Sequence, residues 1–381
     1  MSPEAAQGGP AQRPVPRSGD PFSDIVARAI DGRACSGAVL RVERNGDCLF
    51  HEAWGDAIRA GATVVPMNPD TIFDAASLTK LFTTTAILRL ATTGSLSLDT
   101  RLEALLPALA DRFGIDAALR SRLAASVGAV DVAALLSHSS GIRAWYPFYA
   151  RRGESFETIL ADVLEKNPRR TVTLYSDINF MILGRLVEAV TGAHFATAMG
   201  DLVLSPLGLD RTSWKAPLGP VAATEFGNRI EEGMVADIGL SFDGWRDREA
   251  PIFGEPNDGN CHYFFGGVAG HAGLFSDARD LCRLGRLYVD RGAIDGAGWI
   301  EPGLATEATM DRGAGRGLGF QTGDLYPGGG CGHTGFTGTY LYVKADAGLV
   351  VAFLANRLHV EAPGDINPLR REVAALALSL L

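Results

Sequence analysis

The sequence predicts an α/β protein: an antiparallel sheet built from both ends of the chain, flanked by N- and C-terminal helices, with a mainly helical lobe inserted between. Three observations carry this reading. Residues 37–43 and 49–55, and again 339–344 and 349–356, have the apolar patterning of strands. Phe22, Ile25, Val26, Ala29 and Ile30 near one end, and the apolar run 369–381 at the other, repeat at helical spacing. Residues 81–215 between them are dominated by Leu- and Ala-rich helical patterns. With 381 residues and 46% hydrophobic content, the chain can bury the cores of two lobes.

Taken in order, residues 1–20 are rich in Pro, Gly, Gln and Ala and read as a disordered tail. They hold no apolar core of the length a secretory signal needs, so a cytoplasmic location is expected. Residues 22–31 form the first helix, and Asn45-Gly46 turns 37–43 into 49–55 as a hairpin. A helix running from Ala76 or Ser77 to the glycine stop at Gly94 opens the helical lobe. Residues 223–265 show little periodicity and are long for a connection, which marks them as a pocket loop or a plain insertion. Segments 317–324, 339–344 and 349–356 supply three more strands, and 369–381 closes the chain as a helix. The domain division is therefore 21–76 with 266–381 as the sheet lobe, and 77–265 as the helical lobe.

Chemistry concentrates in Ser77-Leu78-Thr79-Lys80, near the start of the first long helix. Residues three apart on a helix are neighbours, so the amine can reach the hydroxyl. Serine becomes a nucleophile only when a base takes its proton, and lysine serves as that base only as the neutral amine, well below its free pKa of about 10.4. Burial against Leu81 and Phe82 and the positive end of the helix dipole both disfavour the ammonium, so a neutral Lys80 is expected. Alone, the four residues are better described as a serine cap with an exposed lysine one turn on.

Two later segments change the balance: Tyr175-Ser176-Asp177 before an apolar helical run, and His333-Thr334-Gly335 leading into a strand pattern. With Ser77-x-x-Lys80, their order resembles the penicillin-recognising serine enzymes, in the branch of class C β-lactamases, family VIII-type esterases and transacylases. The segments 135–142 and 267–276 extend the likeness over nearly the whole chain after residue 20. The resemblance implies a β-lactamase-like fold with the active site between the lobes. It implies that Ser77 is the nucleophile and that Lys80 and Tyr175 move its proton. It places oxyanion donors on the N–H groups of Ser77 and Phe336, and substrate contacts on Asp177, His333, Thr334 and Gly335.

Two positions depart from the family pattern. Asp177 replaces the usual Asn and would favour a charged Lys80, so either it points elsewhere or Tyr175 carries more of the base role. His333 replaces the usual Lys, and with an ordinary pKa of about 6.5 it would hold an acid group more weakly, which favours neutral esters or amides. Two aromatic groups are candidate pocket walls, Trp145 with Tyr146 and Tyr263 with Phe264. The alternative for the first is a packing cluster.

Other readings fail on context. Gly330-x-Gly332-x-x-Gly335 runs into a strand, whereas the dinucleotide fingerprint opens a helix. Cys261-His262 and Cys331-Gly332-His333 fit no zinc spacing, so no metal or cofactor is expected. His138 and His271 lie in glycine-marked turns and read as structural. Five scattered cysteines show no disulfide framework. A net charge of −9 argues against nucleic acid and anionic membrane surfaces as partners, and no apolar run is long enough to span a bilayer. The expected partners are a small-molecule acyl donor and a water or amine acceptor.

The expected reaction is acyl transfer through an acyl-enzyme on Ser77, first as hydrolysis of a small ester or amide. An amide-forming transacylase in a secondary-metabolite or antibiotic pathway comes second, then a β-lactamase or D-Ala peptidase. A non-catalytic sensor or scaffold is the reading from a different class.

Overall fold

The computed structural model describes residues 19–216 and 219–381. The expected disordered tail lies outside the described residues except at its end, where Asp20 is ordered. Its carboxylate accepts the Ser23 N–H at 2.9 Å and caps helix α1 (Pro21–Asp31).

One six-stranded antiparallel sheet forms the backbone of the fold. Its strands are β1 (Gly37–Arg44), β2 (Asp47–Ala60), β3 (Thr63–Pro66), β8 (Cys331–Thr334), β9 (Thr339–Lys344) and β10 (Leu349–Ala355), in the order β3-β2-β1-β10-β9-β8. Strand β1 pairs with β10 in register Val39↔Leu354 and Val42↔Val351, so the two chain ends meet at the centre of the sheet. Successive side chains point to opposite faces. Val39, Leu341, Val350 and Leu354 face one core with α10 (Ala278–Val289) and the helical lobe, while Leu40, Val42, Tyr340, Tyr342 and Phe353 face α1 and α12 (Asn367–Leu378). Burial on both faces explains why β10 reads as an unbroken apolar run.

The helical lobe comprises α2 (Thr79–Thr92), α3 (Leu102–Phe113), α4 (Ala117–Val127), α5 (Val132–Leu136), α6 (Phe156–Lys166), α7 (Asp177–Thr191) and α8 (Phe195–Met199). Helix α2 is buried on nearly every side, which its Thr- and Leu-rich sequence allows. Phe82, fully buried on it, fills the core shared with the sheet. Phe82→Ala is expected to cost about 3–5 kcal/mol in denaturant-measured stability.

Two expectations about secondary structure are corrected. Segment 317–324 is not a strand: positive φ at Gly315, Gly319 and Gly323 breaks the extended run, and only single bridges such as Gln321↔Gly332 remain. The third C-terminal strand is β8, from the stretch around His333. The helix expected from Ala76 or Ser77 begins with a 3₁₀ turn, Ala76–Leu78, before α2 starts at Thr79.

Candidate active site

The short strand β4 (Phe73–Asp74) pairs with β5 (Phe275–Ser276) and delivers the chain into the Ser77 turn. Ala76 is held at φ +48°, a conformation that costs a non-glycine residue about 1–2 kcal/mol and persists only where its surroundings enforce it. Its N–H donates to Asp74 Oδ1 at 2.8 Å.

Ser77, Lys80 and Tyr175 come together. Lys80 Nζ donates to Ser77 Oγ at 2.9 Å, and the Tyr175 hydroxyl donates to the same oxygen at 2.8 Å. Lys80 is fully buried, and its Nζ also meets Asp177 Oδ1 at 2.7 Å and the His271 carbonyl at 2.9 Å. Three acceptors surround a group that has three protons only as the ammonium. Burial pulls the Lys80 pKa down, but Asp177 and Tyr175 outweigh it and push it above the ordinary value. The expected neutral amine is thus corrected to an ammonium, and Asp177 does not point elsewhere. Burial raises the Tyr175 phenol more than the Lys80 charge lowers it, with Asp177 adding to the rise.

Tyr175 is aimed by the segment around His138. Ser176 Oγ caps α7, the Ser176 N–H donates to His138 Nδ1 at 3.0 Å, and the Leu174 N–H donates to the His138 carbonyl at 2.9 Å. The His138 ring lies 4.7 Å from that of Tyr175. Gly141, at φ +73°, closes this turn: a Cβ there would sit 1.7 Å from the Arg170 carbonyl oxygen. Gly141→Ala is expected to lower thermal stability and kcat together, because the segment that orients Tyr175 must shift.

Thr334, Gly335 and Phe336 line a cleft of about 590 Å³ together with Ser77 and Tyr175. Among the described residues, neither the Ser77 nor the Phe336 N–H has a hydrogen-bond acceptor, so both are available to an oxyanion. A Cβ on Gly335 would fall 1.9 Å from Thr339 Oγ1 and 2.9 Å from the Ala75 carbonyl, so only glycine lets this edge approach the Ser77 turn. Two arginines that carried no sequence signal fix it from behind. Arg357 donates to the Phe336 carbonyl at 3.1 and 3.2 Å, and Arg370 to the Gly335 and Thr339 carbonyls at 2.7 and 2.9 Å.

His333 does not face the cleft. It is fully buried, its Nδ1 donates to the Thr334 carbonyl at 2.7 Å, and burial with the charges of Lys80 and Arg316 holds it neutral, well below the ordinary histidine value. Its expected role as a weak anion holder is corrected. Arg316 occupies that part of the cleft instead, with its guanidinium 5.1 Å above the Tyr175 ring. Among the described residues it makes no ion pair, and its buried Nη1 has no partner. Arg316 precedes the segment 317–324 and stands in no motif of the sequence.

The expected pocket walls lie elsewhere. Tyr146 and Phe264 pack on Phe148, and Tyr263 packs with Tyr149, Phe242 and Trp245 while donating to Asn228 Oδ1 at 2.6 Å. Trp145 is half-buried and, like these three, does not line the cleft. Aromatic edges and faces satisfy one another here, so the clusters anchor the long loop. A larger hollow of about 780 Å³ beside Trp54, Phe226 and His359 shares no residue with the Ser77 cleft.

A hydroxyl approached by lysine and tyrosine beside free N–H donors defines a serine hydrolase. Residues 22–375 match the Beta-lactamase family, and the chain belongs to it. It is 30% identical over 341 residues to penicillin-binding protein 4 of Amycolatopsis lactamdurans, covering 84% of this chain and 80% of that one. It is 27% identical over 364 residues to an Escherichia coli K12 protein named "Putative D-alanyl-D-alanine carboxypeptidase", covering 84% and 78%. Among solved structures, it resembles the class C beta lactamase of Rhodobacter sphaeroides (TM-score 0.67, 19% identity, 94% and 99% covered). It also resembles EstCE1, described as a hydrolase with promiscuous acyltransferase activity (TM-score 0.65, 19% identity, 93% and 97% covered).

Proposed function

We propose that this protein transfers the acyl group of a small ester or amide through a covalent intermediate on Ser77, and that its preferred substrate carries a carboxylate. The observation that carries the first part is the pair of hydrogen bonds from Lys80 and Tyr175 to Ser77 Oγ at the edge of an open cleft. The second part rests on Arg316, a half-buried guanidinium in that cleft that makes no ion pair among the described residues.

The proton route follows from the charges. Lys80 stays an ammonium, so Tyr175 in its phenolate form is the base, held by the adjacent positive charge. The phenolate takes the Ser77 proton as Oγ bonds to the carbonyl carbon, and the Ser77 and Phe336 N–H groups receive the oxyanion. Tyr175 then passes that proton to the leaving alcohol or amine as its bond to carbon breaks. Water repeats the sequence in reverse and frees the acid. An amine acceptor is the second reading, supported by the likeness to EstCE1.

Asp177 holds up the pKa of both Lys80 and Tyr175, so its negative charge opposes formation of the phenolate. In Asp177→Asn the alkaline rise of kcat/KM is therefore expected at lower pH than in the wild type. An unchanged profile would contradict the proposed base.

Intact-protein mass spectrometry tests the reaction, using esters and amides with and without a carboxylate, an added primary amine, and Ser77→Ala as control. A Ser77-dependent adduct cleared by water supports hydrolysis, and one cleared faster by amine with an amide product supports transfer. No Ser77-dependent adduct or turnover across the panel would overturn the reading.

A further inference from the structure

Asp74 takes no part in the proton route, yet it stands where three elements meet. Its side chain is buried, with Oδ1 accepting the Ala76 N–H at 2.8 Å and Oδ2 accepting the Asn257 N–H at 2.7 Å. Its carbonyl accepts the Thr337 hydroxyl at 2.9 Å, beside the Phe336 donor. The chain continues from Asn257 into Asp258, whose Oδ1 lies 2.9 Å from His271 Nε2, and the His271 carbonyl accepts from Lys80. One path of short contacts thus runs from the Ser77 turn through loop 257–260 to the ammonium beside Ser77.

We propose that Asp74 is a positioning residue: its carboxylate holds Ala76 in the left-handed conformation that aims Ser77, and through loop 257–260 and His271 it sets Lys80. This rests on the Ser77 reading above. Two backbone N–H groups converge on the two oxygens, a pattern that an ionised carboxylate satisfies and a protonated or amide group does not, since each of those turns a donor toward one N–H.

Burial pushes Asp74 up to about 6, with Asp258 adding to the rise and the two N–H bonds and Arg246 opposing it. Cys261 also faces it, and Glu225 reaches Asn257 from the loop's other side. The sign for stability is opposite to that for activity. Because the folded value lies above the ordinary 3.8, ionisation of Asp74 opposes folding, and protonation on going from pH 6 toward 4 favours it. The rate should therefore fall in a window where this group does not loosen the fold.

The test measures the acylation rate of Ser77 by a p-nitrophenyl ester against pH, with thermal unfolding followed at each pH. In the wild type, titration of Tyr175 makes the rate fall about tenfold per unit over the whole range below its pKa, and protonation of Asp74 is expected to add a limb below pH 6 that steepens the fall by about a further tenfold per unit, with no parallel loss of Tm. Asp74→Asn should lower kcat about 10–100-fold above pH 7 with KM near the wild-type value, and should lack the limb at pH 6. Asp280, also pushed up to about 6 but bonded to Arg211 and Thr212, is the control: Asp280→Asn should keep the limb. Wild-type kcat in Asp74→Asn, or a limb that survives it, would overturn the proposal. Should Asp74→Asn not fold, a wild-type limb that tracks Tm, or its loss in Asp280→Asn, overturns it instead. Fluorophosphonate labelling separates the two claims, since a wild-type protein that does not label at Ser77 defeats the nucleophile reading itself.

Discussion

Ser77→Ala is expected to lower turnover of every ester and amide substrate by about 10,000-fold or more and to abolish the covalent adduct. The hydroxyl oxygen is the atom on which both the Lys80 and Tyr175 hydrogen bonds converge, at 2.9 and 2.8 Å. Removing it leaves the oxyanion donors and the cleft intact but without a bond-forming atom, so KM should change far less than kcat. Tyr175→Phe should fall by about 100–10,000-fold, the range for loss of a general base. The double variant should be no slower than Ser77→Ala, because a base without its nucleophile contributes nothing. A single variant that retained turnover would place the reacting group elsewhere. Thermal melts separate this from misfolding, since the change removes one oxygen at the mouth of a cleft.

Arg316→Gln is expected to split substrates by charge. For an ester bearing a carboxylate, kcat/KM should fall about 30–1,000-fold, the effect of removing one member of a hydrogen-bonded charge pair at about 2–4 kcal/mol. A neutral ester of the same shape should be turned over at close to the wild-type rate. Stability should be unchanged or higher, because burial lowers the Arg316 pKa while, among the described residues, no ion pair compensates the guanidinium. A functional cation of this kind costs the free protein and is offset when the substrate arrives. Equal losses for both esters would assign Arg316 to the support of Tyr175, whose ring it covers at 5.1 Å.

The cluster of raised carboxylates is a feature of this fold that local sequence does not reveal. Asp74 has no motif around it that distinguishes a buried brace from a solvated turn, and Glu231, pushed up to about 8 by burial, likewise sits in a stretch with no clear periodicity. Their environment is made by loop 257–260, which bonds to both. Loops of this kind carry little pattern because their contacts are made one residue at a time.

What the sequence determined by itself was whatever depends on near neighbours. Apolar strand patterning marked β1, β2, β9 and β10, helical spacing marked α1, an apolar run with a glycine stop marked α2, and three-residue separation placed Lys80 under Ser77. The motif order that resembles the penicillin-recognising enzymes led to the correct family and fold. What only the tertiary structure decided was charge and exposure at positions brought together over long separations. Asp177 meets Lys80 and fixes it as the ammonium, His333 turns inward and becomes neutral, and Arg316 takes the place in the cleft expected for His333. The aromatic residues expected at the cleft pack against one another instead. Hydrogen-bonding and burial patterns are local and leave periodic traces in a chain, whereas a side chain's ionisation depends on the sum of desolvation and all nearby charges, which exists only once distant segments have met.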